Sequence, residues 1–215
     1  MTTTPPDDGP LVIFGVGGLA REIFGWIRAS AQESRKYPVA AFVADDPAAH
    51  GEYCGVPVVG RDHFAGRAPR FIMAVSDPAN KVRLCAELEA AGWGAARYVH
   101  ESVLIGINVK TGKGLVVCPF CTISSDAVIG DHVLINGSTL VGHDVKIGDY
   151  CSLLGRVSLN GDVVLGERVL VGASATIHPK KKVGDGAVIG MGSVVFRNVK
   201  AGATVVGNPA QQLSD

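Results

Sequence analysis

The chain has 215 residues, 47% hydrophobic and 19% charged, and its 20 basic and 20 acidic side chains leave a formal net charge of zero. That is enough apolar material for one or two packed domains, and the missing basic excess argues against nucleic acid as a partner. No apolar run approaches the roughly 20 residues that cross a bilayer, and five irregularly spaced cysteines make no disulfide framework, so the sequence reads as a soluble, reduced, cytoplasmic protein.

Residues 1–10, MTTTPPDDGP, are polar, acidic and proline-rich and are expected to form a frayed tail. Leu11 to Phe14 then read as a buried strand, and Arg21 to Arg28, with Ile23, Phe24 and Ile27 on one face, as a helix. Gly15, Gly17 and Ala20 between them fit the G-x-G-x-x-A spacing. Such a turn brings backbone N–H groups close to a phosphate, or is simply a tight strand-to-helix connection. VAAFVADD (39–46) predicts a second strand ending in Asp45 and Asp46, VPVVG (56–60) a third and FIMAV (71–75) a fourth. Ser76-Asp77-Pro78 opens a helix that stops at Gly92, with proline at its first position. The alternation implies a half-Rossmann-like α/β domain over 11–98 with its ligand site at the carboxyl ends of parallel strands. A full dinucleotide fold needs two such halves, so a single nucleotide suits this domain better than NAD.

From Leu104 onward the text acquires a period of six. Ile105, Thr111, Val117, Ile123, Ile129, Ile135, Val141, Ile147, Leu153 and so on to Val195 form one unbroken phase in which only Thr111 is not aliphatic. Glycine often follows the aliphatic residue, and a small or β-branched residue often stands four places after it. No amphipathic helix has this period. The pattern predicts a β-solenoid over 99–215, of about five coils, with the small residues permitting its turns.

The hexads resemble those of the left-handed parallel β-helix of hexapeptide-repeat acyltransferases. Together with the glycine turn, with INGSTLVGHDVKIGDYC (135–151) and with VVGNPA (205–210), residues 11–212 resemble a family of bacterial sugar acetyltransferases. That family includes sialic acid O-acetyltransferase, the bacillosamine-precursor N-acetyltransferase and GDP-perosamine N-acetyltransferase. The resemblance implies acetyl-CoA as donor, a nucleotide-linked 4-amino-6-deoxyhexose as acceptor, no metal, and a homotrimer with active sites between chains. GDP-perosamine is the first expectation; a UDP-linked amino sugar, O-acetylation of a sugar such as sialic acid, and a non-catalytic nucleotide-sugar-binding protein are the alternatives.

Acetyl transfer needs a base for the acceptor's proton and a donor for the oxyanion. His143 follows an inward aliphatic by two places and is followed by Asp144, a carboxylate able to fix an imidazole tautomer. The match of GHDV to the family's His-acid pair implies that His143 is the base. Gly161 lies 18 residues on, one coil of three hexads, and the resemblance makes its N–H the donor to the thioester carbonyl. It also implies that Asn136 lies near the sugar amine, that Gly15, Gly17 and Gly18 face the diphosphate with Asp45 or Asp46 near base or ribose, and that Pro209 lies near the nucleotide end of the donor. Two carboxylates suit a guanine edge slightly better than uracil. Some relatives carry a second histidine nine places after the first, near the acetyl carbonyl; here Ser152 stands there, and either its hydroxyl supplies that contact with the donor or the contact is absent. Lys180, with Lys181 and Lys182, is either a solvated face or an attractor of CoA phosphates. His50, His63, His100, His132 and His178 are expected to be solvated or capping, and Cys118, Cys121 and Cys151 to serve packing rather than metal binding or catalysis.

Overall fold

The computed structural model describes residues 9–213, so all but two residues of the expected N-terminal tail lie outside it. The chain divides into two compact units, one holding Asn80–Arg97 with the chain up to Val75, the other Ser76–Ala79 with the chain from Tyr98 onward.

The first unit is built on one sheet. Strands β1 (Leu11–Phe14), β2 (Val39–Val43), β3 (Glu52–Tyr53), β4 (Val56–Val59), β5 (Arg70–Met73) and β6 (Gly94–Ala95) run in the order β3-β4-β2-β1-β5-β6. All neighbours are parallel except β3 and β4, which form an antiparallel edge hairpin absent from the sequence expectation. Its second strand is the expected VPVVG segment; the first, of two residues, carries too little periodicity to read. The strand order turns back at β1, so the crevice of an open α/β sheet falls at the carboxyl ends of β1 and β5. Helix α1 (Gly18–Ala29) buries Ala20, Ile23, Phe24 and Ile27. A short helix α2 (Ala31–Lys36), capped by Ser30, follows; its polar sequence gave no apolar period to find it by. Helix α3 (Pro78–Ala90) has proline at its first position, as read.

The second unit is a parallel β-helix. Residues 18 apart pair strand to strand, as Val116 with Leu134, Leu134 with Ser152 and Ser152 with Leu170, and the coils share three sheets. The solenoid starts at Tyr98–Val99, one residue before the expected boundary. The inward aliphatics from Val117 to Val195 are buried and form one continuous core with the small residues four places on, Ala127, Val133, Val145 and Ala175 among them. Ile105, whose strand is the edge of its sheet, stays 43% exposed. At the other end the last step shortens, Val188 pairing with Thr204 rather than with residue 206, and the chain folds back as an antiparallel pair of Thr204–Val206 and Gln211–Gln212.

The role expected of the small residues needs correction. The glycines that follow inward aliphatics are not the left-handed residues of the corners. A Cβ on Gly142 would lie 2.8 Å from the Gly161 nitrogen, and one on Gly172 2.6 Å from that of Met191, so these glycines let neighbouring coils approach. The left-handed residue comes two places later, again every six residues, and is mostly not glycine: Asp126 (φ +62°), His132 (+54°), Asp144 (+59°), Asp162 (+61°), Lys180 (+63°).

Candidate active site

His143 and Asp144 sit on a corner that follows the strand Leu140–Val141. Asp144 takes the left-handed position, which aspartate tolerates better than most residues, and its Oδ2 lies 2.8 Å from Nδ1 of His143. A carboxylate only accepts, so Nδ1 carries the proton and the Nε2 lone pair is free. Both side chains are more than half exposed, at 65% and 56%, so the pair faces solvent with its basic nitrogen available.

One coil on, at about 4.8 Å, the same corner is Asn160-Gly161-Asp162. The coils are tied by the Asp162 N–H donating to the His143 carbonyl (3.0 Å), and Asn160 Nδ2 donates onward to the Ile177 carbonyl (2.7 Å). The imidazole lies over Gly161: a Cβ there would stand 2.5 Å from His143 Cε1 and closer still to Nε2. The basic nitrogen therefore faces the Gly161 backbone. Among the described residues the Gly161 N–H has no acceptor.

The corner continues through His178-Pro179-Lys180, with the Lys180 N–H bonded to the Gly161 carbonyl at 3.0 Å, and then through Phe196-Arg197-Asn198. Lys180 is exposed on this corner, and Lys182, also exposed, begins the following strand. Arg197 is three coils from His143, about 14 Å by strand spacing. There a cleft of about 580 Å³ is lined by Phe196, Arg197, Asn198, Lys200 and Pro209, which puts Pro209 beside two cations that the sequence reading missed. The signal was present, since Arg197 follows His143 by three steps of 18.

Two expected residues lie elsewhere. Asn136 is on a different corner, where its Oδ1 accepts from the Gly137 N–H at 2.7 Å, and it makes no bond to the His143–Asp144 pair. For Ser152 the second of the two alternatives, a missing contact, fits the structure. Nine residues is half of an 18-residue coil, which carries Ser152 to another sheet from the one before His143; its side chain is fully buried and its Oγ has no partner among the described residues. It is not a donor contact in the same chain. Cys118, Cys121 and Cys151 are buried. The Cys121 thiol is pushed up by burial, more than the backbone N–H groups of Thr139 and Ser138 lower it, and so is held protonated. No metal-ligating cluster occurs among the described residues.

In the α/β unit, Gly15 (φ +115°) is required by the fold, since a Cβ would meet the Ala74 carbonyl at 3.1 Å as β1 ends at the crevice. Gly17 and Gly18 begin α1 with open space where a Cβ would be and with no side-chain cap on the helix. Asp45 is held at 2.9 Å by Arg61, which also binds Glu87 at 2.7 Å and lies over the Phe14 ring. The hydrogen bond from Arg61, then that from Arg83, holds the Glu87 carboxyl below its ordinary value. Asp46 precedes a short 3-10 turn, Pro47–Ala49, without capping it. The same unit has a recess of about 150 Å³ lined by Val16, Arg21, Phe42, His50, Glu52 and Tyr53. Arg61 and the recess were not foreseen, because His50 and Arg61 belong to no motif.

No family model matches the chain, and no curated protein does. Solved structures do. The perosamine N-acetyltransferase PerB from Caulobacter crescentus, solved with CoA and GDP-perosamine, is 31% identical over 96% of this chain and 98% of its own, with a TM-score of 0.87. WeeI from Acinetobacter baumannii AYE is 28% identical, covering 95% of this chain and 99% of its own, with a TM-score of 0.88. The acetyltransferase domain of PglB from Neisseria gonorrhoeae, at 24% identity and a TM-score of 0.84, covering 95% and 99%, shares the fold. A hexapeptide solenoid bearing a His-carboxylate pair defines the class, and the chain belongs to the nucleotide-sugar N-acetyltransferase family of PerB.

Proposed function

We propose that this protein transfers the acetyl group of acetyl-CoA to the 4-amino group of a nucleotide-linked 4-amino-6-deoxyhexose, with GDP-perosamine as the first candidate. The full-length similarity to PerB carries the reading. The site chemistry agrees with it. His143 Nε2 takes a proton from the acceptor amine as nitrogen attacks the thioester carbonyl carbon, while Asp144 stabilises the imidazolium through Nδ1. The Gly161 N–H donates to the carbonyl oxygen as it gains charge. Collapse breaks the C–S bond, and the imidazolium returns its proton to the departing CoA thiolate. No cysteine is acylated, in keeping with the burial of Cys118, Cys121 and Cys151.

For the donor, Arg197 and Lys200 at the 580 Å³ cleft supply the positive charge that CoA phosphates need, with Pro209 in its wall and Lys180 on the way. The three coils from that cleft to His143 give the pantetheine arm a straight corner to follow. For the acceptor, the half-Rossmann-like unit holds the diphosphate at Gly15, Gly17 and Gly18, where an uncapped helix start offers free N–H groups. Asp45 and Asp46 recognise base or ribose, and Asn136, on its own corner, approaches the sugar of a neighbouring chain. The enzyme is then a cytoplasmic homotrimer with active sites between chains.

A thiol-release assay against GDP-, UDP- and CMP-linked sugars tests this, with mass in solution from light scattering. The expected result is a trimer that acetylates GDP-perosamine fastest. Silence of intact protein toward every sugar would overturn the enzymatic reading, and a fully active monomer would overturn the shared site.

A further inference from the structure

Some β-helix corners cap a backbone N–H of the coil before them, and the corner over Gly161 is among those that do not. At the second residue after an inward aliphatic, a serine or aspartate at the same place one coil on can accept from the backbone N–H. Ser125 Oγ accepts from the Ile107 N–H (3.3 Å), Asp131 Oδ1 from Lys113 (2.9 Å), Asp149 Oδ1 from Asp131 (2.7 Å) and Asp185 Oδ1 from Glu167 (3.0 Å). Every serine or aspartate at this position among the described residues caps the coil before it. Over Gly161 the same position is Pro179, which has no side-chain oxygen and no N–H.

We propose that Pro179 is a positioning residue: it leaves the Gly161 N–H unsatisfied so that the thioester oxygen can be its acceptor. An amide already bonded to a serine or aspartate would have to exchange that partner during the reaction and would offer the oxyanion little. Proline suits the task because it denies the corner a cap and holds its own φ fixed. This rests on the reading of Gly161 as the oxyanion donor.

The test uses the full-length protein with Pro179→Asp, Pro179→Asn and Pro179→Ala, measuring kcat, KM for both substrates, and residue-resolved hydrogen exchange of the Gly161 amide. Asp and Asn should cap the amide as Asp131 and Asp149 do, slow its exchange and lower kcat by about 10²-fold, the loss expected for one oxyanion donor, with KM for the sugar nucleotide little changed. Asn shows that charge is not the cause. Pro179→Ala, which cannot cap, should keep near wild-type kcat and fast exchange. Asp and Asn variants that protect the Gly161 amide yet turn over at the wild-type rate overturn the proposal, and so does an unprotected amide, or an Ala variant as slow as the other two. Wild-type protein that acetylates no sugar nucleotide instead overturns the underlying reading, and this proposal with it.

Discussion

Replacing Gly161 by alanine separates the chemistry of the site from its folding. The added Cβ would stand 2.5 Å from His143 Cε1 and 3.1 Å from Cδ2, where ordinary contact begins at 3.4 Å, so the imidazole must retreat by about 0.9 Å. The obstacle is the far end of a side chain that is 65% exposed, so the ring swings outward and the fold loses less than about 1 kcal/mol. Catalysis is less tolerant, because a misplacement of about 1 Å in a reacting group costs on the order of 10²-fold. Gly161→Ala should therefore lower kcat about 10²-fold while the melting temperature moves by only a few degrees. Release of CoA thiol under saturating substrates measures the first, and a thermal melt the second. A variant with wild-type kcat would refute the stacking of imidazole on glycine as the working geometry, and a melting temperature that collapses with activity would make the glycine structural.

Four further outcomes are expected. His143→Asn should cut kcat by about 10²- to 10⁴-fold with little change in sugar binding, and Asp144→Asn should cost less because the base survives and only its tautomer support is lost; initial-rate lines that run parallel, with an acetyl-cysteine adduct, would replace direct transfer by a ping-pong route. Arg197→Ala with Lys200→Ala should raise KM for acetyl-CoA far more than KM for the sugar nucleotide, and equal effects would remove the donor from that cleft; point substitutions are preferable to truncation there because Val205 belongs to the core. A thiol reagent should label Cys54 alone in the native protein, without loss of activity, since the other four cysteines are buried. Glu87 has its folded value lowered beneath the ordinary 4.5, so its contribution is present above that value and lost as pH falls through the folded one; the melting-temperature gap between wild type and Glu87→Gln should close on acidification below 4.5, and a gap that widens there would contradict the Arg61 pairing.

The solenoid was legible because its signal is repeated. Nearly every hexad places one aliphatic residue inward, neighbouring coils bury most of them, and fifteen of the sixteen positions from Ile105 to Val195 state the same rule. His143 and Gly161 were legible for the same reason: a fixed 18-residue coil converts spacing along the chain into adjacency in space. Ser152 came from the resemblance and not from the repeat: nine residues from His143 is half a coil, which carries it to another sheet, buried and with no side-chain partner among the described residues. In the α/β unit a strand-turn-helix pattern was enough for β1 and α1. The edge hairpin and the Asp45–Arg61–Glu87 cluster were not readable, since they join residues 16 and 26 apart through contacts that no period records.

The amino-acid sequence by itself determined the two kinds of architecture, the phase of the repeat and the pairing of His143 with Asp144, because each depends on local spacing and on burial of a regularly recurring side chain. Only the tertiary structure decided which backbone amides stay free. Whether the Gly161 N–H is satisfied depends on the residue stacked above it in the next coil, and whether Arg197 and Lys200 share a cleft with Pro209 depends on the shortened last coil and the fold-back that follows it. Hydrogen bonds and charge at such a site are set by neighbours across coils, at distances that only the folded chain defines.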